Sequence, residues 1–234
     1  MAIAVEQIRP IAHLPLILGI LRRLEVATII DRLLPPHPGQ GLSSGHGVEA
    51  LVLAILEGAH ALYKVGQRLD ERGRMNLLQP GLTRTSLHDY RLGPILDALF
   101  AANLNKGFSA LALKALEVYA IPPPWLPQDT TTIARYGAEE NAPPTPGAPR
   151  PTYGHSKDGR DDRKQVLLSL GVSGDGGLPV RLGLRDGNRS DSVETPLAIE
   201  ECLALGLESM RGIVADSKAY SRRTLGLCLE RGVG

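Results

Sequence analysis

The sequence predicts an α+β chain in two parts: a helical N-terminal domain over residues 1–121, then an incomplete mixed β-sheet core with helices over residues 122–234. Three observations predict it. Up to about residue 120, apolar residues recur at helical spacing. Prolines 122, 123 and 124 then stop any helix and favour extended chain. Beyond them, short alternating runs and a glycine-rich turn replace the helical stripes.

The helical part opens with a short amphipathic pair near Leu14–Leu24 and Ala27–Leu34, followed by a loop, "PPHPGQGLSSG". Ser43 and Ser44 offer caps for a helix whose stripe is Val48, Leu51, Val52, Ile55 and Ala59. Leu92, Ile95, Leu96 and Leu99 form a second stripe, and Phe108, Leu111, Ala112, Ala115 and Val118 a third. The sum is a bundle of four to six helices. Arg68, Arg72, Arg74, Arg84 and Arg91 are interleaved with Asp70, Glu71, Asp89 and Asp97, so they make no clean basic stripe, and His88 reads as a surface or capping residue.

In the second part the first strand is "PWLPQD", ending at Asp129. A Pro-rich segment, "AEENAPPTPGAPRP", follows and reads as mobile. Lys164–Val172 and Leu178–Asp186 are two strands joined by "SGDGG", whose Asp175-Gly176 pair signals a hairpin. The same glycines lack the spacing of a phosphate-binding loop and join two strands, so no nucleotide cofactor is expected. "SDSVETPLAIEECLALGL" is a helix with Asp191 and Glu194 spaced as a capping box. "RGIVADS" is a short buried strand, and "AYSRRTLGLCLERG" a last helix ending at Gly232. The order is strand, strand, strand, helix, strand, helix.

Composition limits the function classes. Hydrophobic residues make up 43% of the chain, enough for a real core, while aromatics are only 4%. A net charge of +1 gives no bulk attraction to nucleic acid, so any basic surface is local. Cys202 and Cys228 form neither a CxxC pair nor a metal-ligand spacing and read as reduced core thiols. No apolar run reaches the roughly 18 residues of a membrane span. The first residues lack the pattern of a secretory signal, so a cytoplasmic protein is expected.

Two aspartates stand out. Asp129 ends an apolar run with no lysine or arginine within five residues, and Asp216 ends the strand "RGIVADS". Either each opens a turn, as aspartates after strands commonly do, or the pair holds a metal. If the two strands are neighbours, both carboxylates emerge together. They would then repel unless a divalent cation lay between them. Mg²⁺ takes such oxygen ligands and keeps water or phosphate oxygens in its other positions, which suits in-line phosphoryl displacement.

The stretches "QDTTTIARYG", "YGHSKDGRDDRKQVLLSLGVSGDGGLPVRLGLRDGNRSDS" and "RGIVADSKAYS" carry a resemblance to the DDE transposases of bacterial insertion sequences. The branch resembled has a helical domain before a ribonuclease H-like core. The resemblance implies that Asp129 and Asp216 are the first two catalytic carboxylates. With a later glutamate they would bind Mg²⁺, or Mn²⁺ in its place, cut DNA at the element's end and transfer the freed 3′-hydroxyl to target DNA. It implies DNA as partner, a homodimer and no membrane, with the helical domain binding DNA ends or mediating dimerisation. The third acid lies well beyond the second in that family. Gly234 follows Asp216 by eighteen residues, and Glu230 comes too early. The chain is therefore expected to be truncated, with little transposition of its own.

"YGHSKDGRDDRKQ" could place His155, Lys157, Arg160 and Arg163 on DNA phosphates, although Asp158, Asp161 and Asp162 could equally pair with them. Asn188 and Asp191 could cap the following helix or sit near the metal. Two other functions compete. One is a non-catalytic DNA-binding or dimerising remnant that inhibits an intact transposase. The other is a Mg²⁺-dependent nuclease, for which Asp186 or Asp191 would have to swing towards Asp129 and Asp216.

Overall fold

The computed structural model describes residues 12–36, 41–58, 61–71, 73, 75–102, 104–122, 125–136, 145–156, 159–204, 210–217 and 220–233. The chain is α+β and divides into two compact units, Met1–Lys114 and Ala115–Gly234. Among the described residues no helix is long and apolar enough to cross a membrane.

The first unit is helical: α1 Leu14–Arg23, α2 Val26–Leu33, α3 Ser44–Leu56, α4 Leu62–Glu71, α5 Met75–Leu78 and α6 Asp89–Ala101, with a 3-10 turn at Arg84–Leu87. A further helix, α7 Leu104–Val118, contains the division between the units. These seven α-helices exceed the four to six expected; α5, at four residues, is too short to show an apolar stripe, whereas α4 carries one at Leu62, Val65 and Leu69. Helix α3 is the hub. Its N-cap is Ser43, whose hydroxyl accepts the His46 amide at 3.2 Å. Gly45 lies so close to α2 that an added Cβ would stand 2.2 Å from the Ala27 carbonyl oxygen.

The stripe expected on α3 is corrected by the structure. Ala50, Leu53 and Ala54 are fully buried, whereas Ile55 is 60% exposed and Val48 and Val52 are only partly covered. Ala59 lies outside the described residues. The helix is enclosed over most of its circumference, so its apolar residues outnumber any single stripe. Leu14, Leu18, Leu69, Leu87, Leu92 and Ile95 complete this core.

The second unit holds β1 Trp125–Ala134, β2 Gln165–Val172, β3 Pro179–Asp186, α8 Asp191–Ala204, β4 Gly212–Val214 and α9 Arg222–Arg231. The sheet order is β3-β2-β1-β4, with β1 to β3 antiparallel and β4 parallel to β1. This is a mixed, open four-stranded sheet, compatible with an incomplete ribonuclease H-like core. Gly176 and Gly177 turn the β2–β3 hairpin with φ of 72° and 61°, a region glycine enters without strain. Leu126, Val180, Ile199, Cys202 and Met210 form the core of this unit.

Pleating gives the sheet two unlike faces. The buried face carries Leu126, Gln128, Thr130 and Thr132 of β1, and Gln165, Leu167 and Ser169 of β2. The other face carries three cross-strand rows: Asp129–Leu170–Leu182, Thr131–Leu168–Leu184 and Ile133–Val166–Asp186.

Candidate active site

Asp129 lies in the middle of β1, not at its end as expected from the sequence. The strand runs on through Thr130, Thr131, Thr132 and Ile133, β-branched residues that fit a pleated, half-buried surface. Asp129 is exposed, and its Oδ1 accepts the Thr130 amide at 2.7 Å. Pairing of β1 with β4 runs through Trp125↔Gly212, Leu126↔Ile213 and Pro127↔Val214. Two more steps along both chains reach Asp129 and Asp216. Asp216 is exposed and stands two residues past the end of β4.

Side chains at matched positions of parallel neighbours lie on one face, with backbones about 4.8 Å apart. The ladder itself ends at Pro127↔Val214; carried two places further it would make Asp129 and Asp216 such a pair, supplying the hard oxygen donors that Mg²⁺ or Mn²⁺ prefers. The donor chemistry therefore fits a divalent cation. Among the described residues no group of three or more His, Cys, Asp or Glu side chains could hold a metal.

The other sequence candidates fall elsewhere. Asp186 is the row partner of Val166 and Ile133, four residues along β1 from Asp129 and two strands across. That is about 16 Å at ordinary strand spacings. Its carboxylate is taken by Arg150, through the backbone amide at 2.8 Å and the guanidinium at 3.0 and 3.1 Å. The Arg150 amide, helped by its guanidinium, holds Asp186 below the usual carboxylate range. Asp186 therefore does not swing to the site. Arg150 also ties down the last part of the Pro-rich segment expected to be mobile; residues 138–144 of that segment lie outside the described residues.

Asp191 is the first residue of α8 rather than its N-cap, so the capping-box spacing expected with Glu194 does not apply. Instead Glu194 is 1% exposed, and its two oxygens accept Arg181 at 2.6 Å and Arg185 at 3.0 Å, with Arg189 at 3.2 Å. Asn188 is exposed in the turn ahead of α8.

In the loop before β2, Arg160 is paired with Asp162 at 2.8 and 2.9 Å. That bond lowers the Asp162 pKa. Arg163 stands 3.5 Å from the same carboxylate and 4.8 Å above the Tyr136 ring. His155 is exposed, and its carbonyl accepts Gln165 Nε2 at 3.1 Å. Lys157, like Arg72 and Arg74, lies outside the described residues. His88 is the N-cap residue of α6, beside Asp89 and stacked on Tyr90. Cys202 is fully buried and Cys228 partly so; both are free thiols, and burial pushes Cys202 up to about 12.

A polar network that the sequence did not disclose lies directly behind Asp129. Gln128 Nε2 donates to Ser169 Oγ at 2.6 Å, and Arg181 donates to the same hydroxyl at 2.7 Å. Arg181 and Arg185 also reach Glu201, each at 2.7 Å. Gly183 stands between the two arginines, and a Cβ there would meet their guanidinium nitrogens at 3.0 and 3.1 Å. The signal was present: arginines four apart on a strand share a face, and glutamates seven apart on α8 share another.

Comparisons with known proteins add the following. A family described as a domain of unknown function (DUF4277) matches residues 6–113. No curated protein matches the chain. Two solved structures are similar at low level. The Mos1 transposase paired-end complex with left transposon end is 10% identical, at a TM-score of 0.30 over 83% of this chain and 59% of that one. A pre-cleavage Mos1 transpososome is 9% identical, at a TM-score of 0.30 over 85% of this chain and 60% of that one. The chain thus spans about 60% of the length of the structures it matches.

Proposed function

We propose that the chain is part of a DDE-type DNA transposase, with Asp129 and Asp216 as two of its metal-binding carboxylates. The observation that supports this best is the parallel pairing of β1 and β4, whose register leads to these two aspartates in step. In this reading a divalent cation, Mg²⁺ or Mn²⁺, would supply Lewis acidity for phosphoryl displacement. Asp129 and Asp216 hold it by oxygen donors. The Thr130 amide orients the Asp129 carboxylate, and the Gln128–Ser169–Arg181 cluster fixes the strand beneath it. The substrate is DNA, bound as a homodimer on two element ends, with residues 1–121 recognising those ends or joining the protomers.

Iron-directed cleavage tests the site without needing catalysis. Fe²⁺ with ascorbate and peroxide should cut the backbone near residues 129 and 216 in the wild type, and neither place in Asp129→Ala. Cuts that persist in Asp129→Ala, or that fall elsewhere, would refute the shared site.

A second reading, a non-catalytic DNA-binding or dimerising remnant, is favoured by the lack of a three-ligand metal group among the described residues. Plasmid nicking with Mn²⁺ separates the two. Nicking lost in Asp216→Ala supports the enzyme, whereas DNA binding without nicking supports the remnant.

A further inference from the structure

We propose that the rim of the sheet where β1 ends and β2 begins binds an unpaired stretch of DNA. Tyr136 and Tyr153 would be the stacking surfaces, and the adjoining cations would lie on the phosphates. The proposal deepens the function above and rests on it for the choice of DNA as partner.

The rim is built by two ladders that meet on the start of β2. On one side Ala134 pairs with Gln165, and the Arg135 amide donates to the Lys164 carbonyl at 2.8 Å. On the other side Thr152 pairs with Gln165 through bonds of 3.0 and 2.9 Å. Continuing the first ladder by two places sets Tyr136 opposite Arg163. Continuing the second by one sets Tyr153 opposite Lys164. The side chains follow that register. The Arg163 guanidinium lies 4.8 Å from the Tyr136 ring centre, and Lys164 Nζ lies 5.9 Å from that of Tyr153. The backbone strips of the two tyrosines are two ladder spacings apart, about 10 Å.

Both rings stay open to solvent, at 65% for Tyr136 and 55% for Tyr153. An exposed tyrosine paired with a cation at a strand end gains little for the fold. It does present a flat ring beside a positive charge, the combination on which single-stranded nucleic acid stacks. Only an unpaired base can lie on such a ring, because a paired base has both faces covered by its neighbours in the duplex. Among the described residues here, Arg135, Arg150, Arg160, Arg163 and Lys164 stand among Asp161, Asp162 and Asp186. The local balance is positive although the chain is nearly neutral.

The rim is also fixed in shape. An added Cβ on Gly187 would lie 1.9 Å from the Gln165 carbonyl oxygen, and one on Gly154 2.4 Å from that of Gly187. Alternation along β1 and β2 puts Arg135, Lys164 and, opposite Lys164, Tyr153 on the same face as Asp129, and Tyr136 with Arg163 on the other, so a strand stacked on both rings bends around the rim. Six residues of strand separate Arg135 from Asp129, about 20 Å. A DNA strand leaving Tyr153 along that face would reach Asp129 some six nucleotides on, at the rise of a stacked strand.

The test is fluorescence anisotropy on the full chain in EDTA. The probe is labelled oligo-dT of about 20 nucleotides, longer than the roughly 4–16 nucleotides one such site occupies. A duplex and an oligo-rU of the same length are the comparisons. We expect the single DNA strand to bind more tightly than either. Tyr136→Ala and Tyr153→Ala should each weaken binding by about 5- to 150-fold, while the Phe variants keep it because the ring remains. Lys164→Ala should reduce the salt slope by about 0.7. Alanine variants within twofold of the wild type, Phe variants as weak as Ala, or tighter binding of duplex or RNA would each overturn the proposal. Because EDTA removes divalent ions, failure here with iron-directed cleavage intact sinks only the rim. Loss of that cleavage with stacking intact sinks only the metal site.

Discussion

Replacing Glu194 by alanine isolates what holds β3 to α8 behind the candidate site. The substitution removes hydrogen bonds of 2.6 Å from Arg181 and 3.0 Å from Arg185, and the 3.2 Å contact with Arg189. Arg181 is 2% exposed, so its charge cannot turn to water. Breaking one partner of a buried pair typically costs about 3–5 kcal/mol. Arg181 would keep Glu201 at 2.7 Å and Ser169 at 2.7 Å, which places the loss near the lower end, about 3 kcal/mol. For a unit of about 120 residues that is a fall in Tm of roughly 10–15 °C. Trp125, the only tryptophan and the first residue of β1, reports this unit by fluorescence during urea or thermal unfolding. Joint replacement, Arg181→Met with Glu194→Leu, should recover most of the loss, because Arg185 keeps Glu201 and only the partly exposed Arg189 loses its carboxylate. A Glu194→Ala protein within about 0.5 kcal/mol of the wild type would refute the view that this network carries the packing of α8.

Two further outcomes follow. Burial raises the Glu49 pKa, with the nearby His46 and Arg22 charges opposing it. A carboxyl whose folded pKa is raised contributes stability that is complete below its unfolded pKa and lost as pH rises through the raised value. Above about pH 4.5 the wild type should therefore lose stability that Glu49→Gln retains, a difference visible in urea midpoints measured at stepped pH. Cysteines placed at Asp129 and Asp216, with Cys202→Ala and Cys228→Ser, should oxidise readily to a disulfide. Matched parallel neighbours lie within the roughly 4.4–6.8 Å Cα range that a disulfide spans. Failure to cross-link under mild oxidant would place the two positions apart.

Much of the second unit was legible in its sequence because its signals are local. The Asp175-Gly176 turn and the glycine at the end of α9 each act over a few residues. The extent of β1 was less legible. The proline run and Asp129 suggested a stop, while the threonines that follow pair with β2 as far as Ala134. The buried charges were hidden for a different reason. Arg181, Arg185 and Glu194 look like surface residues until β3 and α8 are packed face to face. The same holds for Glu49, which is 2% exposed on a helix enclosed by its neighbours. Pattern rules assume charge outside and apolar residues inside. The sheet here departs from that, with polar side chains on its covered face and leucines beside Asp129 on the other.

Manganese binding followed by electron paramagnetic resonance addresses the shared carboxylate site most directly. Titration of the intact chain should show bound Mn²⁺ that Asp129→Asn and Asp216→Asn each weaken by about tenfold or more, with the double variant at least as weak as the worse single one. Equal binding in all four proteins would contradict the account.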